Sequence, residues 1–157
     1  MCIRDRYEND SRAREYDSPR QYGLGQMHKH LPEMKAVCGL NYEPVFDPIV
    51  ADYYSGMCVV VPIHSRFMRK RMRVSELKSY FAEYYALSRF VRIAEGGTAY
   101  LAANALSGTN GMEIYIDGND ERILLASVFD NLGKGASGAA VQCMNIACGI
   151  DEGTSLL

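Results

Sequence analysis

Two of the three histidines stand two residues apart, and they are the first feature of the chain that could do chemistry. His28 and His30 flank Lys29, and Tyr22 lies upstream in a segment that also contains glycines. An imidazole titrates near neutral pH and can act as a general acid or base. In an extended segment the two imidazoles would point to one side and Lys29 to the other. The pattern allows proton transfer, and surface histidines at a helix start would give the same pattern.

The same two histidines could hold a metal ion, which is the second chemistry that this spacing allows. A protein metal site takes at least three protein ligands as a rule, and His64 is the one further histidine. The cysteines are odd in number and show no metal-binding spacing. We therefore expect no bound metal, and reduced thiols in a cytoplasmic protein. The cysteines are Cys2, Cys38, Cys58, Cys143 and Cys148.

A glycine-rich segment near the C-terminus matches a nucleotide-binding motif. Residues 133–138 fit G-x-G-x-x-G, follow a predicted strand and open a predicted helix. Residues 139–157 are too few for the rest of a dinucleotide-binding fold. The glycines could instead allow a helix to pack closely on a sheet, or form a ligand-facing loop completed by other parts of a larger protein; we favour the loop. Asn131, just before it, could satisfy turn backbone or present its amide to a ligand.

Short helices and strands are predicted around these residues. Pro32 and Gly39 indicate a short helix directly after the histidines. Residues 55–67 predict a mostly buried strand, in which Pro62 indicates a bulge or a sheet edge. Ser75 is a candidate N-cap for the clearest helix of the chain. The apolar face of that helix is predicted to comprise Leu77, Tyr80, Phe81, Tyr84 and Leu87.

The second half of the chain favours a hairpin and a C-terminal helix. Residues 90–93 alternate as in a strand, and an Asp117-Gly118 signal between two apolar runs indicates a hairpin turn. Residues 136–148 are rich in alanine and end before Gly149, which predicts a tightly packed helix. Hairpins occur without a steady βαβ alternation. The predicted fold class is therefore α+β, with a mixed, largely antiparallel sheet and flanking helices.

Composition excludes several classes of protein. The chain has 157 residues, of which 48% are hydrophobic and 23% charged. These values fit one soluble domain and exclude a disordered chain. The formal net charge of -2 gives no electrostatic footprint for nucleic acid or an anionic membrane. The longest apolar run, residues 57–63, falls far short of the ~20 residues that span a bilayer.

Three blocks of the sequence, in order, resemble N-acetyl-gamma-glutamyl-phosphate reductases. The resemblance begins near Gln21 and continues to the end of the chain. The last block is the most specific of the three. The blocks are Tyr22-x5-His28-Lys29-His30-x-Pro32-Glu33, Phe46-Asp47-Pro48 through Gly56-Met57, and Ser107-Gly-Thr-Asn-Gly together with residues 130–142.

The resemblance implies a fold and a domain arrangement. It matches only the second, α+β domain of that family, which resembles the C-terminal domain of glyceraldehyde-phosphate dehydrogenases. The Rossmann domain that binds NADP is expected to be absent from this chain. Residues 21–157 would form the catalytic and dimerisation domain, with a C-terminal helix that returns to the missing domain. Residues 1–20 stay unassigned, and residues 1–6 resemble a cloning or assembly scar.

The resemblance also implies an activity and a set of site residues. Family members reduce N-acetylglutamyl 5-phosphate to N-acetylglutamate 5-semialdehyde and phosphate with NADPH, in arginine biosynthesis, and a homo-oligomer is expected. His28 would be the acid and base, with His30 and Tyr22 lining the site, and the choice between the two histidines stays open. Lys29, where the family has arginine, would bind substrate. Asn131, Gly135 and Ala136 would face the nicotinamide.

One departure from the family pattern concerns the nucleophile. The family attacks its acyl phosphate with a cysteine in a Pro-Gly-Cys context upstream of the histidine block, and no cysteine here has that context. We therefore expect the chain alone to be inactive. The alternative function is a non-catalytic α+β module that binds a partner or oligomerises.

Overall fold

The computed structural model describes Tyr7 and residues 11–156. The hexapeptide interpreted as a scar and Cys2 lie outside the described residues. The chain divides into two compact units, residues 1–54 and 55–157. Short elements make up the first unit. They are a 3-10 turn (Arg14–Asp17), β1 (Arg20–Gln21), α1 (His30–Val37) and β2 (Ile49–Val50), with β1 and β2 paired antiparallel.

The predicted helix after the histidines is α1, and its end follows the predicted rule. Gly39 adopts a φ of 60°, the left-handed conformation that terminates helices. The N–H of Leu40 then donates to the carbonyl of Lys35 at 3.0 Å, which closes the last turn. Leu31 is the buried residue of this helix. Arg12 forms ion pairs with Asp17 and Asp52 and so joins two segments of the unit.

The second unit contains a four-stranded mixed sheet, as the fold-class prediction requires. The strand order is β3-β6-β5-β4; β4 runs parallel to β5, and the other pairs are antiparallel. This confirms the α+β class with a mixed, largely antiparallel sheet. The strands are β3 (Met57–His64), β4 (Val91–Ile93), β5 (Met112–Gly118) and β6 (Arg122–Phe129).

Helix α2 (Val74–Tyr84) covers one face of this sheet and creates the core. Leu77 of the helix packs against Ile114, Ile116 and Ile123 of the two central strands. Buried and less buried residues alternate along β5, because successive side chains point to opposite faces. The core is therefore built on the two strands that have neighbours on both sides.

The prediction of a mostly buried strand over residues 55–67 is wrong for β3. Val59, Val60 and Val61 keep between 44% and 48% of their surface exposed. β3 has one neighbour in the sheet, β6, and α2 lies over β4 and β5. A strand at the edge of the sheet, without α2 over it, leaves its valines exposed despite their hydrophobicity. The prediction that Pro62 marks an edge is confirmed.

The start and the apolar face of α2 also differ from their predictions. Ser75 lies within the first turn, so it is not the N-cap. The N–H of Arg73 donates to the Glu76 carboxylate at 2.7 Å, and that of Val74 donates to Asp120 at 3.0 Å. These two carboxylates satisfy the helix start in place of a serine hydroxyl. Tyr80, Tyr84 and Leu87 are 54%, 71% and 100% exposed, while Leu77 and Phe81 contact the core.

The hairpin and the position of the C-terminal helix were predicted correctly, but the prediction that this helix is tightly packed is wrong, because its Met144 and Ile146 are 56% and 59% exposed. Gly118, with a φ of 110°, ends β5, and a Cβ there would overlap the carbonyl of Arg122. The C-terminal helix α3 (Gly138–Ala147) follows a single π-helical turn, Gly133–Ser137. Gly149, with a φ of 69°, lies directly after it. Within the described residues, none of the helices has the length and apolar content needed to cross a bilayer.

Candidate functional site

The first unit brings three of the predicted site residues together around one imidazole. The ring of His28 lies 6.0 Å from the ring of Tyr22 and 4.8 Å from that of His30, between ring centres. A third ring, Phe46, lies 5.0 Å from His28. Tyr22 is fixed to the same neighbourhood because its N–H donates to the carbonyl of Pro48 at 3.0 Å. We call Tyr22, His28, His30 and Phe46 the histidine cluster.

The two histidines of the cluster differ in how they are held. Nδ1 of His28 accepts a hydrogen bond from the backbone N–H of His30 at 3.3 Å. A neutral imidazole with an accepting Nδ1 carries its proton on Nε2. His28 is half-buried, whereas His30 is exposed and takes part in this bond through its backbone. This hydrogen bond therefore defines which nitrogen of a neutral His28 ring carries the proton, and the choice between the two histidines as acid and base stays a prediction.

Lys29 lies beside the cluster in sequence and directly before the first residue of α1. Its side chain is exposed. Among the described residues, no carboxylate forms an ion pair with its ammonium group. An unpaired cation of this kind attracts an anionic ligand more strongly than one already neutralised by a neighbour.

The second unit has a polar centre of a different kind, formed around Asp130 at the end of β6. Asp130 is only 3% exposed. Its Oδ1 accepts from the N–H groups of Leu132 and Gly133 at 2.7 and 3.2 Å, and its Oδ2 accepts from the N–H of Gly108 and the hydroxyl of Ser55 at 2.5 and 3.2 Å. We call these five residues the Asp130 hub.

The hub holds Asp130 in its charged form. Burial of the carboxylate acts to raise its pKa, because the charged form loses water. The hydrogen bonds from Gly108, Leu132, Gly133 and Ser55 act in the opposite direction and outweigh burial, so the pKa of Asp130 lies below its usual value. A carboxylate held in this way fixes the backbone around it and does not exchange protons near neutral pH.

The N–H groups with which the G-x-G-x-x-G segment could bind a phosphate are already used, two of them by Asp130. The N–H of Gly133 donates to the Asp130 carboxylate, and that of Gly135 donates to the Asp130 carbonyl at 2.8 Å. A Cβ on Gly133 would lie 2.7 Å from the carbonyl of Thr109, and a Cβ on Gly138 would overlap the amide oxygen of Asn110. Gly133 and Gly138 thus allow close packing against residues 109–110, and the ligand-facing loop that the sequence favoured stays a prediction.

The residues predicted to face a nicotinamide are Asn131, Gly135 and Ala136. Asn131 is half-buried, and its Oδ1 accepts from the N–H of Gly56 at 2.7 Å. Gly135 and Ala136 are exposed. Gly56 has a φ of 124° and a Cβ there would overlap the carbonyl of Ala103, so this contact needs glycine. Asn131 therefore satisfies the backbone N–H of Gly56, and its amide nitrogen has no hydrogen-bond partner within the described part of the chain.

Sequence reasoning missed two participants, Phe46 in the histidine cluster and Asp130 in the hub. Asp130 directly after a strand and before a glycine-rich turn is a signal for a side chain that binds local N–H groups. Phe46 lies far from His28 in sequence, and its contact depends on tertiary structure. Over the residues that the structure describes, no three histidine, cysteine or carboxylate side chains group as metal ligands.

Comparison of the sequence with known proteins identifies a family model and a consistent set of relatives. Residues 5–131 match a family model described as the semialdehyde dehydrogenase dimerisation domain. The chain is 40% identical to N-acetyl-gamma-glutamyl-phosphate reductase 2 of Nostoc sp. strain PCC 7120, with 83% of this chain and 44% of the relative covered. It is 38% identical to the N-acetyl-gamma-glutamyl-phosphate reductase of Burkholderia cenocepacia strain HI2424, with 82% and 43% covered.

A third relative agrees with the first two. The N-acetyl-gamma-glutamyl-phosphate reductase of Mesorhizobium japonicum is 36% identical, with 82% of this chain and 44% of that protein covered. The chain thus spans less than half the length of these curated relatives. The resemblance noted in the sequence is confirmed. The chain belongs to the family of semialdehyde dehydrogenase dimerisation domains, and the curated relatives that place it there are N-acetyl-gamma-glutamyl-phosphate reductases.

Proposed function

We propose that this chain supplies the acid–base and dimerisation part of a reductase that converts N-acetylglutamyl 5-phosphate into N-acetylglutamate 5-semialdehyde and phosphate, in the cytoplasmic synthesis of arginine. The observation that carries the proposal is the hydrogen bond at Nδ1 of His28. Its Nδ1 is occupied by a backbone N–H, so the neutral ring keeps its proton on Nε2. The names of the curated relatives, each a reductase of N-acetyl-gamma-glutamyl phosphate, supply the substrate class.

His28 would act by giving and regaining the Nε2 proton. Reduction of an acyl group to an aldehyde develops negative charge on the carbonyl oxygen, and a donor at Nε2 stabilises that charge. The rings of Tyr22 and Phe46 restrict the orientation of the imidazole, so the proton is delivered in one direction. Solvent reaches the half-buried ring and allows it to be reprotonated between turnovers.

Lys29 would bind the anionic substrate. The substrate carries a phosphate and a carboxylate, and a lysine ammonium attracts either group as a point charge. The arginine that the family has at this position would form a two-pronged hydrogen bond instead. We therefore propose that substrate binding here relies more on charge than on directional bonds.

The cofactor proposed for this reductase is NADPH, and the described residues fit its nicotinamide end in part. Gly135 and Ala136 are small and exposed, which leaves room for a flat ring. The amide nitrogen of Asn131 can donate a hydrogen bond to the carboxamide of the nicotinamide. When bound, the nicotinamide supplies a hydride. The phosphates would bind elsewhere, because the N–H groups of Gly133 and Gly135 are already occupied.

Two further parts of the proposal concern assembly and activity. The chain would assemble as a homo-oligomer, as the family description of a dimerisation domain suggests. The exposed valines of β3 support this, since apolar surface left open on an edge strand favours a protein neighbour.

Alone, the chain would not turn over substrate, because none of its cysteines has the Pro-Gly-Cys context of the nucleophile.

A chimera tests the proposed function. Residues 21–157 would replace the matching segment of the Nostoc reductase, and NADPH oxidation would be measured with N-acetylglutamyl 5-phosphate. We expect activity in the chimera and none in the 157-residue chain. His28→Asn should lower kcat by about 10²–10⁴-fold, the usual value of a positioned acid or base.

His64→Asn is the matched control, because His64 also accepts a backbone N–H through Nδ1, that of Arg66 at 3.4 Å, but lies in the second unit. It should leave kcat unchanged. An active chimera in which His28→Asn behaves like His64→Asn would contradict the proposal and support the non-catalytic oligomerisation module instead.

A further inference from the structure

Gln26, a residue next to the histidine cluster, has an unusual backbone. Its φ is 52°, in the left-handed region that residues other than glycine rarely occupy. Its N–H donates to the carbonyl of Gly23 at 3.0 Å, so the residue closes a tight turn. A glutamine kept in such a conformation needs compensating contacts elsewhere.

Those contacts come from its side chain, which binds both backbone groups of one distant residue. Nε2 of Gln26 donates to the carbonyl of Phe46 at 2.8 Å, and Oε1 accepts from the N–H of Phe46 at 3.0 Å. The carboxamide thus replaces a neighbouring strand at this point. The described residues between α1 and β2 contain no helix or strand. Among the described residues, Gln26 is therefore the only hydrogen-bond partner of the Phe46 backbone.

Phe46 in turn contacts His28. Its ring centre lies 5.0 Å from that of His28 at an interplanar angle of 59°. Phe46 is half-buried although Val45 beside it is exposed, so the segment turns this one ring inward. The contacts form one continuous series, from the Gln26 side chain to the Phe46 backbone and from the Phe46 ring to the His28 imidazole.

We propose that Gln26 is a positioning residue for His28, acting through Phe46. Its side chain fixes the backbone of Phe46, and the ring of Phe46 fixes the orientation of the imidazole. The catalytic consequence rests on the proposed function of His28, whereas the structural claim does not. The opposing interpretation is that Gln26 matters only because its backbone forms the turn.

Two variants separate these interpretations. Gln26→Gly removes the carboxamide but favours a φ of 52°, since glycine occupies that region freely. Gln26→Ala removes the carboxamide and also disfavours the φ. Gln21→Ala is the matched control, because Gln21 is an exposed glutamine on β1 of the same unit. All three are made in the 157-residue chain.

The readout is the set of NMR cross-relaxation peaks between the ring protons of Phe46 and His28. We expect them in the parent chain and in Gln21→Ala, and we expect their loss in Gln26→Gly with the amide spectrum of residues 55–156 unchanged. Persistence of these peaks in Gln26→Gly would overturn the proposal, because the turn alone would then orient His28. Gln26→Ala should lose the peaks too, and if that variant unfolds, Gln26→Gly still decides.

Activity in the chimera gives an independent second readout. Gln26→Gly should lower kcat more than it changes KM, by about 10-fold to 10²-fold, as expected for a misplaced catalytic group. In a His28→Asn background it should have no further effect, since a positioning residue acts through the group it positions. A full additional loss in the double variant would overturn the proposal. If His28→Asn leaves the activity of the chimera unchanged while the parent chain shows the Phe46–His28 ring contacts, the result contradicts the proposed function alone.

Discussion

The histidine cluster and the Asp130 hub are both polar centres, and they are constructed on opposite principles. Asp130 is almost fully buried and accepts four hydrogen bonds, so its charge state is fixed. His28 is half-buried, accepts one hydrogen bond, and is otherwise enclosed by aromatic rings. Proton exchange, which we propose for His28, needs solvent access and few competing bonds, whereas a group that holds backbone in place needs the reverse.

The largest effect should come from removing the carboxylate of the hub. Asp130→Ala leaves the N–H groups of Gly108, Leu132 and Gly133 without their acceptor at a partly buried point of the chain. Because hydrogen bonds to a charged group contribute about 1.5–3 kcal/mol each, the free energy of unfolding should fall by at least ~3 kcal/mol. Urea denaturation measures it. Asp47→Ala, at an exposed carboxylate, should change it by less than about 0.5 kcal/mol, and equal losses in the two variants would refute the comparison.

The pH dependence of stability should distinguish the hub from an ordinary surface carboxylate. The pKa of Asp130 is lower in the folded chain than the unfolded value of about 3.9. Its contribution is therefore fully present above the unfolded pKa and is lost as the pH falls through the folded pKa. The difference in unfolding free energy between the parent and Asp130→Asn should shrink below about pH 4. A constant difference from pH 6 to pH 2 would show that the charge is unimportant.

A smaller effect is expected from filling the space at the glycine turn. Gly138→Ala would place a Cβ against the amide oxygen of Asn110 and the carbonyl of Gly133, and such overpacking costs about 1–3 kcal/mol. Gly25→Ala is the control, since a Cβ there meets nothing within 4 Å and the φ lies outside the left-handed region. It should leave the thermal midpoint unchanged or raise it. A Gly138→Ala variant as stable as the parent would show that α3 can move away from its neighbours.

The smallest effect should appear in the histidine cluster itself. His28→Ala removes the acceptor for the N–H of His30 at the start of α1, and loss of a bond of this kind costs about 1 kcal/mol. His30→Ala keeps its backbone N–H and should cost less than half of that. Urea denaturation of the whole chain, followed through the NMR amide signals of residues 11–54, checks both. A greater loss for His30→Ala would mean that its ring, and not that of His28, holds the cluster.

The elements that could be predicted from the sequence are those specified by local residues. The hairpin has its turn residues, α3 has a glycine at its end, and both appear where predicted. The exposure of β3 could not be predicted, because it depends on which strands lie beside it. The start of α2 could not be predicted either, since it uses the carboxylate of Asp120 from a distant turn.

The same division holds for the candidate site. The block from Tyr22 to His30 is local, and the structure brings its aromatic residues together. Gln26, Phe46 and Asp130 act through partners that lie 20 or more residues away, at Phe46, Gln26 and Ser55. Their residue types are common in loops and give no signal of these distant partners, although the position of Asp130 before a glycine-rich turn does indicate its local N–H partners. Only the tertiary structure shows which backbone groups they satisfy.

The edge position of β3 has a consequence for how this chain behaves in a cell. An open edge strand that exposes several valines is a template on which other chains can aggregate. Pro62 lies in that strand and has no N–H to offer an incoming chain, which interrupts the growth of an intermolecular sheet. If a neighbouring subunit covers the valines, as we propose, this protection against aggregation is most useful during synthesis and assembly, before that contact forms.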